Sequence, residues 1–512
     1  MKSLLEVLQK YAIEFSIAAV VLLLHFYNNA FTTYGMFRDE LYYIACSNHL
    51  TWGYVDQPPL CAFILLISRT IFGESIFAIR LLPSFANAGS IFLAGVMTRM
   101  LGGGTLARTF VCIACAFAPG IIGISGIYSM NAFDILLWQV ALYLFIRLIT
   151  TQQPKYWYWI GFIVGIGLLN KTSMVWLATG IGVATLFTDQ RRWLKSKYPW
   201  IAAATAFIIF LPYVMWNIQN NLAHLEFMRN ASGIKYASQN QITFLTDLVM
   251  NNNPIALPLW LAGFWLLFKK GQKEFRAVGI AIATVLLILL VNGHSKGEYF
   301  GPAMLTLFGA GSIQWERWLQ NRKPIGYSYS FVIMITGVML LPFAMDILPV
   351  NQFVPYSQAL GIGPKSNEGH EMKSLPQHYA DRFGWKEFAS DVAKAFKTLS
   401  PDEQKYTAIY VHNYGEAGAI DFYGAQYGLP KAFAGQNSYW LWGKERIEDS
   451  VSVLIAVGGE AHDYSDTFEV IEQVGIHSHS LAMIYENNLP IFICRKPKLK
   501  LKDVWHTTRF YI

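Results

Sequence analysis

Phe37-Arg38-Asp39-Glu40-Leu41-Tyr42-Tyr43, followed shortly by Gly53-Tyr54-Val55-Asp56-Gln57-Pro58-Pro59, lies between the first long apolar run of the chain and the next. How this stretch is read decides the fold, because the apolar segment Leu60 to Phe72 comes directly after it. As a helix, that segment would reach only about 20 Å at ~1.5 Å per residue, short of the roughly 30 Å hydrocarbon core of a bilayer. Pro58 and Pro59 open it and Arg69 stands near its end. It therefore reads as an interfacial helix within one outer loop, residues 32–75. Counting it as a span would reverse the side of every later loop.

Composition sets the class. Of 512 residues, 54% are hydrophobic and only 14% charged, and the mean hydropathy is +0.32. These values indicate a polytopic membrane protein. Aromatic residues make up 15%, as expected where rings anchor spans at the lipid–water boundary. The net charge of +7 comes mostly from short loops between apolar runs, where it reports topology and not nucleic-acid binding. Cys112 and Cys115 sit within an apolar run and read as packing residues. Cys46 and Cys61 flank the double-proline segment, and either a disulfide or two free thiols fits an outer loop. Lys2 and Lys10 precede the first apolar run, with no A-x-A-like cleavage site after it, so it reads as a retained span.

About eleven apolar runs follow the ~20-residue criterion loosely. They lie near Ile13 to Tyr27, Ile76 to Met97, Leu106 to Ile124, Ile135 to Leu148, Trp157 to Leu169, Met174 to Phe187 and Trp200 to Ile218. Ile255 to Phe268, Val278 to Val291, Phe300 to Ile313 and Tyr329 to Phe343 complete the set. Every second connection is basic: Arg99 and Arg108; Arg147 and Lys155; Arg191, Arg192, Lys195 and Lys197; Lys269, Lys270, Lys273 and Arg276; Arg317, Arg322 and Lys323. Basic loops face the cytoplasm. The expected topology has a cytoplasmic N-terminus, with the Asp39 loop and the C-terminal domain sharing the outer face of the inner membrane.

Near residue 350 the long apolar runs stop. Thr407 to Val411, Val451 to Val457 and Ile491 to Cys494 read as strands and Gly415 to Tyr427 as a helix. The expectation is a mostly α protein, with a membrane domain over 1–349 and a small extracytoplasmic α/β domain over 350–512.

The candidate chemistry gathers on the outer face. Asp39 is the candidate catalytic base, against the competing reading that it caps a helix opening at Leu41. Glu40, Tyr42, Tyr43, Asp56 and Asp134 are candidates for positioning donor or acceptor, Asp134 because an ionisable group entering a span is costly. Lys296, Lys171 and Arg38 supply positive charge for a phosphate. Asn437, Tyr439, Trp440 and Trp442 are candidates for glycan contact, or for packing a loop onto the membrane domain. His224, His294 and Asp56 have no diagnostic metal spacing, so no metal site is expected, although a divalent cation is compatible with the chemistry. There is no P-loop and no G-x-G-x-x-G after a strand, which argues against a nucleotide-sugar donor.

Over its first 350 residues the chain resembles membrane-embedded glycosyltransferases of the GT-C fold, the protein O-mannosyltransferase-like and lipid A aminoarabinose transferase-like group. The residues carrying the resemblance are Arg38-Asp39-Glu40, Asp56-Gln57-Pro58-Pro59, Ala78-Ile79-Arg80-Leu81, Asp134, and Lys296 with Glu298-Tyr299-Phe300-Gly301-Pro302. Asn413-Tyr414-Gly415-Glu416-Ala417-Gly418-Ala419 and Gly435 to Trp442 resemble the soluble domain of a bacterial branch. The resemblance implies inverting transfer of a sugar from a polyprenyl-phosphate carrier to a glycan, lipid or protein acceptor. It assigns Asp39 as base and Lys296 to the leaving phosphate. Gln57 departs from the pattern, standing where lipid A enzymes carry a lysine. A lipid or glycan transporter and a noncatalytic glycan-binding scaffold are the competing classes. Carboxylates gathered at one face without an internal repeat argue against the transporter.

Overall fold

The computed structural model describes residues 6, 9–236, 239–269, 273–366 and 368–512. Six helices among them are long and apolar enough to cross a membrane: Ala12–Phe31, Ile76–Met100, Met130–Thr151, Tyr198–Gln219, Phe275–Asn292 and Lys323–Ala344. The other expected runs are helical but shorter, including Lys155–Asn170, Met174–Phe187 and Leu257–Phe268. Leu106 to Ile124 is two helices, Thr105–Ala116 and Pro119–Ile124. Pro119 has no amide proton to continue the first helix and starts the second instead. Length and composition thus establish six spans and leave the expected count of eleven unestablished.

The bundle closes around Gly301–Trp318, in which every residue from Gly301 to Gln314 is buried. Its neighbour Leu257–Phe268 approaches it backbone to backbone. A methyl group at Gly311 would lie 1.8 Å from the Leu259 carbonyl oxygen, and one at Gly263 would lie 2.3 Å from that of Leu307. Small residues at a helix crossing permit this contact, and dispersion across it holds helices together where the surrounding lipid is as apolar as they are.

The loop read from the sequence as outer, and called the outer loop below for that reading, forms two helices, Arg38–Asn48 and Leu60–Phe72. The second buries Cys61, Ala62, Leu65 and Ser68 while Phe63, Ile67 and Ile71 stay exposed. An apolar exposed stripe at i, i+4, i+8 suits a helix lying at a lipid surface. Arg69, an exception to the charge alternation, closes the C-terminal end of the first helix by donating to the Ile44 carbonyl, Ser47 Oγ and Asn48 Oδ1. Cys46 and Cys61 are both free and buried, which settles the disulfide alternative. Cys46 Sγ accepts from the Gln57 amide at 3.6 Å, so that thiol faces its own loop.

The C-terminal sheet has the order β2-β1-β3-β5-β4, with β1 Thr407–Val411, β2 Ala432–Ala434, β3 Val453–Val457, β4 Phe468–His477 and β5 Leu489–Pro497. β1 pairs in parallel with β2 and β3; β5 runs antiparallel to β3 and β4. β2 and β4 escape the sequence reading because one is three residues long and the other, at the sheet edge, is mostly solvent-facing and polar. The composition change near 350 is not a packing boundary. Tyr379 in the C-terminal portion donates to the Pro342 carbonyl of the last span at 2.6 Å, and one apolar core joins the outer loop to the sheet, from Leu41 and Tyr43 to Ala417, Ile420 and Ile455.

The docking of loop and domain is local and sequence-encoded. Helix Tyr414–Tyr423 presents Gly415 and Gly418, three residues apart and so on one face. A methyl group at Gly415 would lie 2.4 Å from Arg38 Cγ, and one at Gly418 would lie 2.9 Å from Leu41 Cβ. The glycines let this helix settle directly on Arg38–Asn48.

Candidate functional site

Asp39 and Glu40 are adjacent in sequence and opposite in environment. Glu40 is fully buried and satisfied four times. It accepts from the Phe37 amide at 2.8 Å and the Tyr128 amide at 2.7 Å, and takes a two-pronged ion pair from Arg80, Nε to Oε1 at 2.8 Å and Nη2 to Oε2 at 2.7 Å. Burial alone would raise its pKa; Arg80 and the Tyr128 amide hold it below the usual value. The helix-start role considered for Asp39 is therefore performed by Glu40, from the third helical position. Glu40 faces the buried Arg80 and backbone amides, where it braces the loop.

Asp39 remains available. Its side chain is 39% exposed, with Arg38 Nε 3.6 Å from Oδ1. The hydroxyl of Tyr414, from the C-terminal domain, donates to the same oxygen at 2.8 Å. One oxygen is anchored, and the carboxylate keeps solvent access.

Around it stand further charges. Arg38 Nη1 donates to the Tyr485 hydroxyl at 2.7 Å, and its Nη2 lies 3.8 Å from Glu368. Lys235 Nζ is 2.9 Å from the other oxygen of Glu368. Lys296 lies with Nζ 4.6 Å from the ring centroid of Tyr236. Asp56 accepts from the buried Tyr42 hydroxyl at 2.8 Å. Burial pushes its carboxyl up to about 6, against the Tyr42 hydrogen bond and with the repulsion of Asp39 adding to the rise. Tyr42 stacks obliquely on Tyr414, centroids 4.8 Å apart. Tyr43, also buried, accepts from the Met130 amide at 3.3 Å and serves the joint between the outer loop and the helix bearing Asp134.

Asp134 belongs to a separate, small pocket lined by Asn131, Asp134, Lys171, Asn251, Glu298 and Tyr299 among others. Ser173 donates to one Asp134 oxygen at 2.9 Å, while the other is buried without a hydrogen-bond partner among the described residues. Lys171 donates to Asn131 Oδ1 at 2.6 Å and lies 5.2 Å from the Tyr299 ring centroid. Glu298 and Tyr299 follow Lys296 closely in sequence, which puts this pocket next to the Lys296 connection.

The residues considered for glycan contact are buried. Asn437 accepts from the Ile512 amide and fixes the chain end, Tyr439 donates to Asp421, and Trp440 donates to the Trp505 carbonyl. Trp442 stacks on His49 of the outer loop, centroids 4.5 Å apart. Of the two roles open to them, packing is the one their burial supports. Gln57 is likewise buried, its amide donating to Cys46 Sγ.

Sequence reasoning missed Lys235, Glu368 and the contact from Tyr414. Arg80, an arginine in an apolar helix, signalled a buried partner without naming it; nothing local to Glu368 marks it.

Residues 56–216 match the dolichyl-phosphate-mannose-protein mannosyltransferase family. The lipid A galacturonosyltransferase RgtD of Rhizobium johnstonii is 24% identical over 337 residues, 63% of this chain and 69% of that protein. An undecaprenyl phosphate-alpha-4-amino-4-deoxy-L-arabinose arabinosyl transferase of Pseudomonas fluorescens is 23% identical over 274 residues, about half of each chain. The crystal structure of ArnT from Cupriavidus metallidurans bound to undecaprenyl phosphate superposes with a TM-score of 0.62 at 10% identity, over 95% of this chain and 98% of that one. The chain is thus a multi-pass membrane protein of the GT-C fold. Within that class it is a glycosyltransferase, similar over residues 56–216 to the family named above, and its relatives include users of polyprenyl-phosphate-linked sugars.

Proposed function

We propose that the chain transfers a sugar from a polyprenyl-phosphate carrier to an acceptor hydroxyl or amine at the outer face of the inner membrane, with inversion at the anomeric carbon. The observation carrying this reading is the division of labour between neighbouring acids: Glu40 is locked into Arg80, and Asp39 is held by one oxygen beside a cluster of cations. In the step proposed, the acceptor oxygen or nitrogen attacks the anomeric carbon and its proton passes to Asp39. The bond between that carbon and the carrier's phosphate oxygen breaks, and the electron pair leaves with the phosphate. Arg38, Lys235 and Lys296 offset the developing charge, the kind of electrostatic stabilisation that contributes most where water is excluded. Asp56, hydrogen-bonded to Tyr42, stands on the acceptor side, and the pocket of Asp134 and Lys171 offers hydrogen-bonding groups for a sugar. The alternation of basic loops supports the orientation, with the N-terminus cytoplasmic and the site and C-terminal domain outside.

Incubating the purified protein with radiolabelled polyprenyl-phosphate sugars and membrane extract tests the reading. Wild type is expected to consume the lipid-linked sugar, and Asp39→Asn to lose at least ~100-fold of that rate, the scale of general-base catalysis, while remaining folded. Transport of the lipid without consumption of its sugar would refute the assignment.

A further inference from the structure

Glu368 stands where an anion is wanted. One of its oxygens is 2.9 Å from Lys235 Nζ and the other 3.8 Å from Arg38 Nη2. Gln377 Nε2 donates to the second oxygen at 2.9 Å, and His370 Nε2 lies 3.6 Å from it. The Glu368 side chain is only 12% exposed. Against its burial, Lys235, Arg38 and Lys296 hold its carboxyl well below the usual range, so all three cations act on this one point. Arg38 also lies beside Asp39, which sets the point next to the proposed base.

We propose that the Glu368 carboxylate occupies, in the unliganded enzyme, the seat of the carrier's phosphate, and that donor binding displaces it. This rests on the functional reading above and adds to it Lys235 as a phosphate ligand and Glu368 as an internal competitor. The chemistry matches: a guanidinium and a lysine ammonium donate to carboxylate and phosphate oxygens alike. A polyprenyl-phosphate sugar is a phosphodiester with one negative charge, so the exchange is one anion for one and leaves no cation unpaired in a half-buried site. After transfer, the returning carboxylate competes with the product phosphate and favours its release.

Binding of undecaprenyl phosphate to the full-length protein in detergent tests this, with undecaprenol and inorganic phosphate as the arms that separate lipid from headgroup. Glu368→Gln removes the competing charge and keeps the shape. It is expected to bind undecaprenyl phosphate about tenfold tighter, ~1.4 kcal/mol, and the gain should shrink when Lys235→Met is added. Glu368→Asp, which keeps the charge one methylene further back, is expected to show a smaller gain and covers the case of a poorly folded Gln variant. A merely structural ion pair predicts the opposite, unchanged or weaker binding with lower thermal stability, and that result would overturn the inference alone. Wild type binding undecaprenyl phosphate no better than undecaprenol or inorganic phosphate would overturn the functional reading together with it.

Discussion

Two neighbouring carboxylates show how far a single side chain's surroundings set its role. Asp39 and Glu40 have the same charge, yet the helix turn sends one inward to Arg80 and leaves the other beside solvent. Removing one partner of a buried ion pair strands the other charge in a poorly solvated interior, at about 3–5 kcal/mol. Glu40→Gln and Arg80→Met are therefore expected to lower the thermal unfolding temperature sharply. Asp39→Asn, at a half-exposed position, is expected to unfold within a few degrees of wild type. Scanning calorimetry in detergent would check the contrast, and equal destabilisation by Asp39→Asn and Glu40→Gln would contradict the division of roles.

At the scale of the element, helix Tyr414–Tyr423 carries the joint between loop and domain, and its start is built on a pair of acids. Asn413 donates to Glu416 at 2.8 Å and to Glu486 at 2.9 Å, tying both carboxyls to the helix's first turn. Burial raises both; the charge of Glu486 adds to the rise at Glu416, whereas hydrogen bonds from Glu416 and Asn413 work against the rise at Glu486, which is pushed up to about 7. The folded protein thus keeps a proton that the unfolded chain sheds near 4.5. Between those values the native state binds more protons than the unfolded one, so the contribution of Glu486 to stability falls as pH rises from about 4.5 to about 7. Unfolding temperatures measured across that window are expected to decline in wild type and to decline less steeply in Glu486→Gln. An unchanged slope in the variant would remove the pair as its source.

For the molecule as a whole, the site is shared between two regions that composition separates. Tyr414 comes from beyond residue 350 and holds the Asp39 carboxylate that the outer loop presents. Tyr414→Phe keeps the ring packed against Tyr42 and removes only the donor. It is expected to lower the transfer rate about tenfold, the scale of one hydrogen bond to a charged group at ~1.5 kcal/mol, with little change in unfolding temperature. Full activity in that variant would make the C-terminal domain a bystander to the chemistry. The apolar helices, three of the five strands and a separate helix at Leu60–Phe72 are legible in the sequence, because hydrophobic period and charge placement are local properties of the chain. What no local pattern shows is that Glu40 and not Asp39 braces the helix start, that Asn437, Tyr439, Trp440 and Trp442 pack inward, and that Glu368 stands between Arg38 and Lys235. Those contacts join residues up to hundreds of positions apart, and such pairing is fixed by how helices and sheet close on one another, not by any neighbour in the sequence.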